Sequence, residues 1–401
     1  MSELPLAELR VLDLSRLVAG NMLTMVLADF GADVIKVEQP GAGDPLRAWK
    51  SGGLDLWWRV YGRNKRSITL NLAQAAGRDL LLRLLPSADL FVENFIPGTL
   101  EEWGLGPEVL RERNRGLVVV RISGWGQEGP YRHRPGFGTF VEAMSGFAAM
   151  TGPADGPPTL PPLPLADMSA ALYGVAAALI ALRHRDAGGS GQVIDLSLLE
   201  PLFSLLGPLA AEYRLLGQVR ERIGSRSHNS APRNTYRTRD GKWIAISAST
   251  PPMAARFFQA IGRADLLEDE RFATNEARVK HVDDLDRHVA AKIAKYTLAE
   301  LLERFERHEV GAAPVYDISQ LLDDPQVVAR RMIVDVSAAG LAAGAGSGVT
   351  PMHDVIPRLL ETPGRIRWAG PSLGAHNAEI FLQELSLPEA EVRRLHEEGV
   401  L

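Results

Sequence analysis

The sequence predicts an α/β protein of 401 residues: a Rossmann-like large domain built on a parallel sheet, carrying an inserted smaller α+β domain. Three observations predict it. Short Val/Ile/Leu-rich runs, continuous rather than alternating, recur between helical stretches, the pattern of strands buried on both faces of a parallel sheet. The composition, 46% hydrophobic and 23% charged, is that of a soluble globular chain long enough for two or three domains. Past residue 200 the alternation stops, and a basic polar segment leads into a hairpin and a group of helices.

Residues 10–14 (RVLDL) read as the first strand, 22–30 as a helix and 33–38 (DVIKVE) as the second strand. A third strand at 67–70, a helix at 75–85 and strands at 90–93 and 117–122 continue the alternation. The order of VLDL, Ala19-Gly20, a helix and a strand ending in Glu38 is that of a nicotinamide-dinucleotide site. Such a site needs several glycines so that backbone can approach the pyrophosphate, and only Gly20 is present. The stretch PLADMSAALYG opens the most apolar helix, 168–182, which reads as a buried core helix because a membrane span takes about 20 apolar residues. Residues 188–191 turn into the strand QVIDLSL, and a long helical stretch, 199–218, follows. TYRTRDGKWIAISA reads as a hairpin turning at Asp240-Gly241. Helical patterns at 252–261, 282–295 and 298–308 and a strand-like segment at 313–318 complete the smaller domain. Residues 338–348 read as an alanine/glycine linker or mobile loop, and His376 or Asn377 as the cap of a final helix. The boundaries predicted are 1–200 and 335–401 for the large domain, 201–224 for a helical linker and 225–334 for the small domain.

Composition narrows the function. The net charge of −5, with no Lys/Arg block interleaved with aromatics, disfavours a nucleic-acid partner. Zero cysteines exclude disulfides, thiolate metal sites and a cysteine nucleophile, and fit a cytoplasmic protein. The first fifteen residues lack a signal-peptide pattern, and no membrane association is expected. Asp167, just before an apolar run, has two readings. It is an N-cap accepting from the first-turn N–H groups, or a nucleophile that those N–H groups and the helix dipole keep ionised. Were it a cap, its removal would cost about 1 kcal/mol. His133 in YRHRP reads as a solvated loop residue; Glu142, one helical turn before Gly146, reads either as facing the site or, as the safer reading, as a solvated or structurally paired carboxylate.

Several stretches point one way: LADFGADVIKVEQPGAGDPLR, GRNKRSITLNL, FVENFIPGTLEEWGL, ISGWGQEGPYRHRPGFGTFVEAMSGFAAMTG, PLPLADMSAALYG, RTRDGKWIAI, GAAPVYDI and LGAHNAEI. Together they resemble the class III CoA-transferases, the family of formyl-CoA and carnitine CoA-transferases, over nearly the whole chain. The resemblance implies a large domain made from both chain ends and two open subunits interlocked as a homodimer. It also implies Asp167 as catalytic residue, an acyl-CoA donor and a carboxylic acid acceptor as partners, no metal, and coenzyme A as substrate rather than as a tightly bound cofactor. Arg63, Lys65 and Arg66 of GRNKRS become the phosphate-binding candidates, because guanidinium and ammonium groups pair with phosphate oxygens; the alternative is a solvated basic turn. Asn94 and Phe95 stand where family members contact CoA, although an asparagine there is also a turn cap. Lys36 and Glu38 end the second strand at the edge where open α/β sheets bind ligands.

The sequence also departs from the family pattern. Val18 stands where formyl-CoA transferases carry a glutamine, and GSRSHNSAPRN has a single glycine, Gly224, in place of a glycine run, so formate and oxalate are not the expected acids. The related α-methylacyl-CoA racemases share the aspartate but need a histidine where this chain has Phe137, between Gly136 and Gly138, and Phe137 cannot move a proton. Arg226 or Arg233, with His228 nearby, is expected to meet the free carboxylate of a dicarboxylic acceptor such as succinate, malate, mesaconate or itaconate. The expected activity is acyl-CoA:carboxylate CoA transfer through an aspartyl anhydride and an aspartyl-CoA thioester. The alternatives are a racemase-type enzyme, a non-catalytic CoA-binding protein and an NAD-dependent oxidoreductase.

Overall fold

The computed structural model describes residues 4–337 and 348–401, which divide into two compact units. The first comprises 4–147, 160–208, 330–337 and 348–401; the second comprises 148–159 and 209–329. The segment 148–159 and the helix Leu209–Leu216 thus go with the second unit.

Six strands form one parallel sheet in the first unit: β1 (Arg10–Asp13), β2 (Asp33–Glu38), β3 (Arg66–Thr69), β4 (Leu90–Glu93), β5 (Val118–Ser123) and β6 (Val193–Ser197), in the order β3-β2-β1-β4-β5-β6. This is the doubly wound order, in which connections run outward from β1 in both directions and leave a crevice at the C-terminal ends of β1 and β4. Alternate strand residues face opposite cores. Leu12, Ile35, Ile68, Phe91 and Val119 pack with Leu80, Leu81 and Leu84 of helix α2 (Ala75–Leu84) and with Ile380 and Phe381 from the C-terminal segment. Val11, Val34, Leu90, Val92 and Val120 pack on the other face with Leu23 and Leu27 of α1 (Ala19–Asp29). That core also takes Val141 of α3 (Gly138–Met144) and Ala166, Ala170 and Ala178 of α4 (Leu165–Asp186). Truncating a fully buried residue such as Leu23 to alanine typically costs 2–5 kcal/mol.

Helix α4 has 22 residues, longer than the sequence pattern indicated, and by length and composition it could cross a membrane. Its small residues have a packing reason instead. A Cβ on Gly174 would stand 2.4 Å from Leu23 Cδ1, so α4 approaches α1 as closely as glycine and alanine permit.

In the second unit, strands Arg233–Arg237, Trp243–Ser247 and Ala312–Pro314 form an antiparallel sheet. The turn between the first two holds Gly241 at φ +78°, a left-handed conformation that favours glycine. Helices Pro251–Ala260, Val282–Ile293 and Leu298–Arg307 cover a core that includes Phe257, Phe258, Phe272 and Phe305.

Three expected elements come out differently. The stretch 199–218 is two helices, Leu199–Ser204 and Leu209–Leu216, because Gly207 turns left-handed (φ +68°) and Pro208 cannot continue a helix. His376 and Asn377 do not cap a helix: the His376 ring accepts from Ser67 N–H and Asn377 Oδ1 from Thr69 N–H, fastening the C-terminal segment to β3. The alanine/glycine stretch at 338–348 lies, apart from Gly348, outside the described residues.

Candidate active site

The loop after β1 starts from Asp13, a buried carboxylate at the strand's C-terminal end. Asp13 accepts from Thr24 Oγ1 (2.5 Å) and Lys65 Nζ (3.0 Å) and faces Lys36 Nζ at 3.4 Å. Lys36 in turn pairs with Asp44 at 3.0 Å. Two ammonium groups and two carboxylates, all buried, balance one another. Burial pushes Asp13 upward, but Lys36 and Lys65 overcome it and hold the carboxyl at about 2. Burial, with repulsion from Lys36, brings Lys65 down to about 8 against the pull of Asp13. The loop built on this network crosses Leu17 in the left-handed region (φ +63°), a costly conformation for leucine, and delivers the chain to the start of α1.

Asp167 lies in the first turn of α4, and its side chain does not cap that helix; the residue before the helix is Pro164. The Asp167 carboxyl is raised to about 6, first by burial and then by the like charge of Glu142, while the N–H groups of Ala19 and of Asp167 itself work in the opposite direction. Roughly nine-tenths of it is ionised at pH 7. Glu142, on α3, is buried, and its Oε1 accepts from Ala166 N–H at 3.1 Å, so a carboxylate from another helix meets one of the first-turn donors of α4. Gly138, the first residue of α3, lies directly against the nucleophile candidate: a Cβ built there would be 2.3 Å from Asp167 Oδ2.

A cavity of about 580 Å³ opens beside Asp167, at the C-terminal ends of β1, β4 and β5. Apolar groups of Ile96, Pro97, Ile122, Pro135, Phe137 and Leu198 form much of its wall. Gly124 and Gly136 let two wall segments touch, since a Cβ on Gly124 would be 2.3 Å from Gly136 Cα. Arg16, Arg132 and Arg134 also line the cavity, and none has a carboxylate partner among the described residues. The Arg16 guanidinium stands 4.9 Å over the Phe95 ring and that of Arg134 3.9 Å over Tyr131. His133 is exposed on the same wall, its Nε2 accepting from Arg132 Nε at 2.8 Å. A second cavity of about 310 Å³, lined in part by Leu14, Leu70, Leu72 and Trp103, shares Arg16, Pro45 and Phe95 with the first.

The residues singled out from sequence divide sharply. Asp167, Asn94, Phe95 and Phe137 meet at the larger cavity, with Gly138 beneath the carboxylate. Val18 is buried at the start of α1 and is not part of the wall. Lys36 and Glu38 border the smaller cavity, but Glu38 is engaged bidentately by Arg47 (2.7 and 2.8 Å) and accepts from Ser67 Oγ. The phosphate-binding expectation for GRNKRS requires correction. Arg63 is buried and bonds Asp29 through Nε (3.0 Å) and Nη2 (2.5 Å); Lys65 is buried against Asp13 and Asn21; Arg66 pairs with Asp33, Glu379 and Glu384. These cations face inward because β3 begins among carboxylates contributed by other strands and helices. The Asn94 side chain spends both ends on the Arg16 backbone, donating to its C=O and accepting from its N–H.

Arg226, His228 and Arg233 belong to the second unit. Arg226 pairs with Asp283 and Asp286 at 2.7 Å each, Arg233 donates to the carbonyls of Ser225 and Arg226, and His228 Nε2 lies 3.2 Å from the Glu221 carbonyl. Arg226 is therefore neutralised within its own unit, and among the described residues the cations without carboxylate partners beside Asp167 are Arg16, Arg132 and Arg134. Sequence reading passed over these three and the backbone of Ala19. The available signal was topological: residues following β1 and β5 flank the crevice of a doubly wound sheet.

Residues 6–377 match CoA-transferase family III. The chain is 44% identical to succinyl-CoA–D-citramalate CoA-transferase of Chloroflexus aurantiacus, over 99% of this chain and 98% of that protein. It is 40% identical to the succinyl-CoA–L-malate CoA-transferase beta subunit of the same organism, with the same shares covered. It is 34% identical to succinate–glutarate CoA-transferase of Agrobacterium fabrum, over 94% and 95% of the two chains. Among solved structures, a CAIB/BAIF family protein from Brucella suis superposes with a TM-score of 0.83 at 32% identity, covering 95% of this chain and all of that one.

Proposed function

The chain belongs to CoA-transferase family III and is a CoA-transferase, and on that premise we propose that it moves CoA between a dicarboxylic acyl-CoA and a dicarboxylate acceptor, with Asp167 as covalent carrier. The observation that carries this reading is the Asp167 carboxylate, half-buried on the wall of the cavity at the sheet's crevice, with Ala19 on the same wall and Gly138 leaving it room.

Four steps follow. An Asp167 carboxylate oxygen attacks the thioester carbonyl of the donor, the C–S bond breaks, and a mixed anhydride and CoA thiolate form. The thiolate attacks Asp167 Cγ, the Cγ–O bond to the acyl group breaks, and the donor acid leaves as its carboxylate. The acceptor carboxylate then attacks Cγ of the aspartyl-CoA thioester and expels the thiolate, giving a second anhydride. The thiolate finally attacks the acceptor's acyl carbon, releasing the new thioester and the Asp167 carboxylate. No net proton is transferred, so the site needs no general base. It needs donors for the oxyanions that develop at Cγ, which the N–H groups of Ala19 and Asp167 are placed to supply, and a wall that excludes water from the anhydride.

The named substrates of the relatives, citramalate, malate, glutarate and succinyl-CoA, are dicarboxylic. Arg132 and Arg134, without carboxylate partners beside Asp167, fit the acceptor's second carboxylate, replacing Arg226 and Arg233 in that role. Incubation with succinyl-CoA should leave a CoA adduct on the Asp167 peptide in the denatured mass spectrum. An intact peptide, together with α-hydrogen exchange into acyl-CoA without any acceptor, would overturn the reading in favour of racemase chemistry. Alanine at Arg132 and Arg134 should raise KM for dicarboxylates at least tenfold more than for monocarboxylates. The homodimer is likewise proposed, supported by the exposed apolar residues Leu172, Tyr173, Leu179 and Ile180 on α4, and light scattering tests it.

A further inference from the structure

Loops ordinarily leave part of their backbone to water. Residues 15–17 do not: every backbone donor and acceptor there is met by a side chain. Ser15 N–H donates to Asp13 Oδ1 (2.9 Å), and its C=O accepts from Lys36 Nζ. Arg16 N–H donates to Asn94 Oδ1 (2.8 Å), and its C=O accepts from Asn94 Nδ2 (2.7 Å). Leu17 N–H donates to Asp44 Oδ1 (3.0 Å), and its C=O accepts from Asn21 Nδ2 (2.6 Å). Four of these six bonds come from residues on the β1–β2 side of the sheet or on α1. The Arg16 pair alone reaches across the crevice, from the end of β4, as a neighbouring strand would.

The Asn94 amide is thus already engaged at both ends by the protein's own backbone. Two residues beyond Leu17 the same loop ends in Ala19, which lines the cavity together with Asp167 and whose N–H favours the ionised form of that carboxyl. Building on the proposed transfer reaction, we propose that Asn94 is a positioning residue: it clamps the Arg16 peptide groups across the crevice and thereby fixes the loop that holds the Ala19 N–H against Asp167. This differs from the role expected of Asn94, direct contact with CoA, and the two predict different kinetics.

The groups facing Asp167 are Glu142 from α3 and, around the cavity, Arg16, Arg132, His133 and Arg134; the start of α1 brings no charged side chain. Asn94→Ala removes none of them. Loosening the loop withdraws an N–H that favours the ionised carboxylate, so the acid limb of kcat/KM should move to higher pH. The loss of oxyanion positioning should lower kcat at least tenfold, with KM for acyl-CoA changed less than twofold. Asn94→Asp keeps the acceptor for Arg16 N–H but turns an oxygen toward Arg16 C=O, and it serves if the alanine variant does not fold.

The experiment is the pH profile of kcat and KM for wild type and both variants, with succinyl-CoA as donor, alongside the rate of adduct formation on Asp167. A tenfold rise in KM for succinyl-CoA with kcat and acid limb unmoved would reassign Asn94 to CoA binding. A lower kcat with an unmoved acid limb would reduce it to a structural residue. Either result overturns the inference while wild type still forms the adduct; failure of wild type to form it refutes the transfer reading instead.

Discussion

Asp167→Asn should make this protein more stable, and the size of the gain can be worked out. The carboxyl sits at about 6 in the fold against an ordinary 3.8. Below 3.8 the proton is bound in both folded and unfolded chains and the group is neutral in its effect. Between 3.8 and about 6 the folded state keeps a proton that the unfolded state has released, so stability falls as pH rises through this window. Above it the full penalty stands: the interval at about 1.4 kcal/mol per pH unit comes to about 3 kcal/mol. Asparagine has the shape of aspartate and keeps an acceptor for the Ala19 N–H, without the charge that burial and Glu142 penalise. Thermal unfolding at pH 7 should therefore show the variant above wild type, by about 5 °C if the gain is realised in full. The gap should shrink toward pH 4. This reverses the loss of about 1 kcal/mol expected of a helix cap, because Asp167 is not one. A variant less stable than wild type at pH 7, or a gap unchanged between pH 7 and 4, would refute the reasoning.

Three other outcomes are expected. Glu142→Gln, which keeps an acceptor for Ala166 N–H but removes the like charge, should move the acid limb of kcat/KM to lower pH than in wild type; a pH–rate profile checks it. Gly138→Ala should leave the unfolding midpoint within a few degrees, because the displaced atom is the mobile end of a side chain, yet cost on the order of a hundredfold in kcat by shifting the carboxylate. Arg63→Ala strands Asp29, a buried carboxyl already pushed upward by burial despite its guanidinium partner, and should destabilise by about 3–5 kcal/mol in denaturant unfolding; for a phosphate-contact residue, the change would be in KM with stability unaltered.

The parallel sheet was legible because its signal is local: VLDL, DVIKVE, LFVE and LVVVRI carry Val, Ile, Leu or Phe at consecutive rather than alternate positions, as strands covered on both faces do. The strands at 33–38 and 90–93 have the bounds that the sequence pattern indicates. Asp167 was legible as a chemically interesting carboxylate because it stands alone before an apolar run. The orientation of GRNKRS was not legible. Three cations in four residues look the same whether they face solvent or the interior, and the deciding carboxylates, Asp29, Asp13 and Asp33, lie more than thirty residues earlier in the chain. The Asn94 clamp reaches Arg16 across 78 residues and acts on backbone, which leaves no mark in side-chain spacing. Glu142 was legible as a paired carboxylate, but its partner was not: that partner is an N–H of α4, and nothing in the helix containing Glu142 shows it.

The burial that costs stability also sets the balance of the proposed reaction. A carboxylate titrating near 6 is more nucleophilic than one at 3.8, yet it remains mostly ionised at neutral pH, so attack on the donor thioester gains without losing the reactive form. The same group must depart in the last step, when the thiolate takes the acyl carbon from the anhydride. A thiol of ordinary pKa, about 8.5, is still the poorer leaving group of the pair, so the anhydride continues to surrender its acyl group to CoA. Raising Asp167 much further would erode that difference, and lowering it to the ordinary value would weaken the first attack. Glu142 and the Ala19 N–H push the carboxyl in opposite directions, so shifting either should speed one half of the exchange at the expense of the other. Single-turnover rates of acyl-enzyme formation and release in Glu142→Gln would measure that trade: formation slowed and release quickened fits it, whereas both slowed together would mean that Glu142 serves geometry alone.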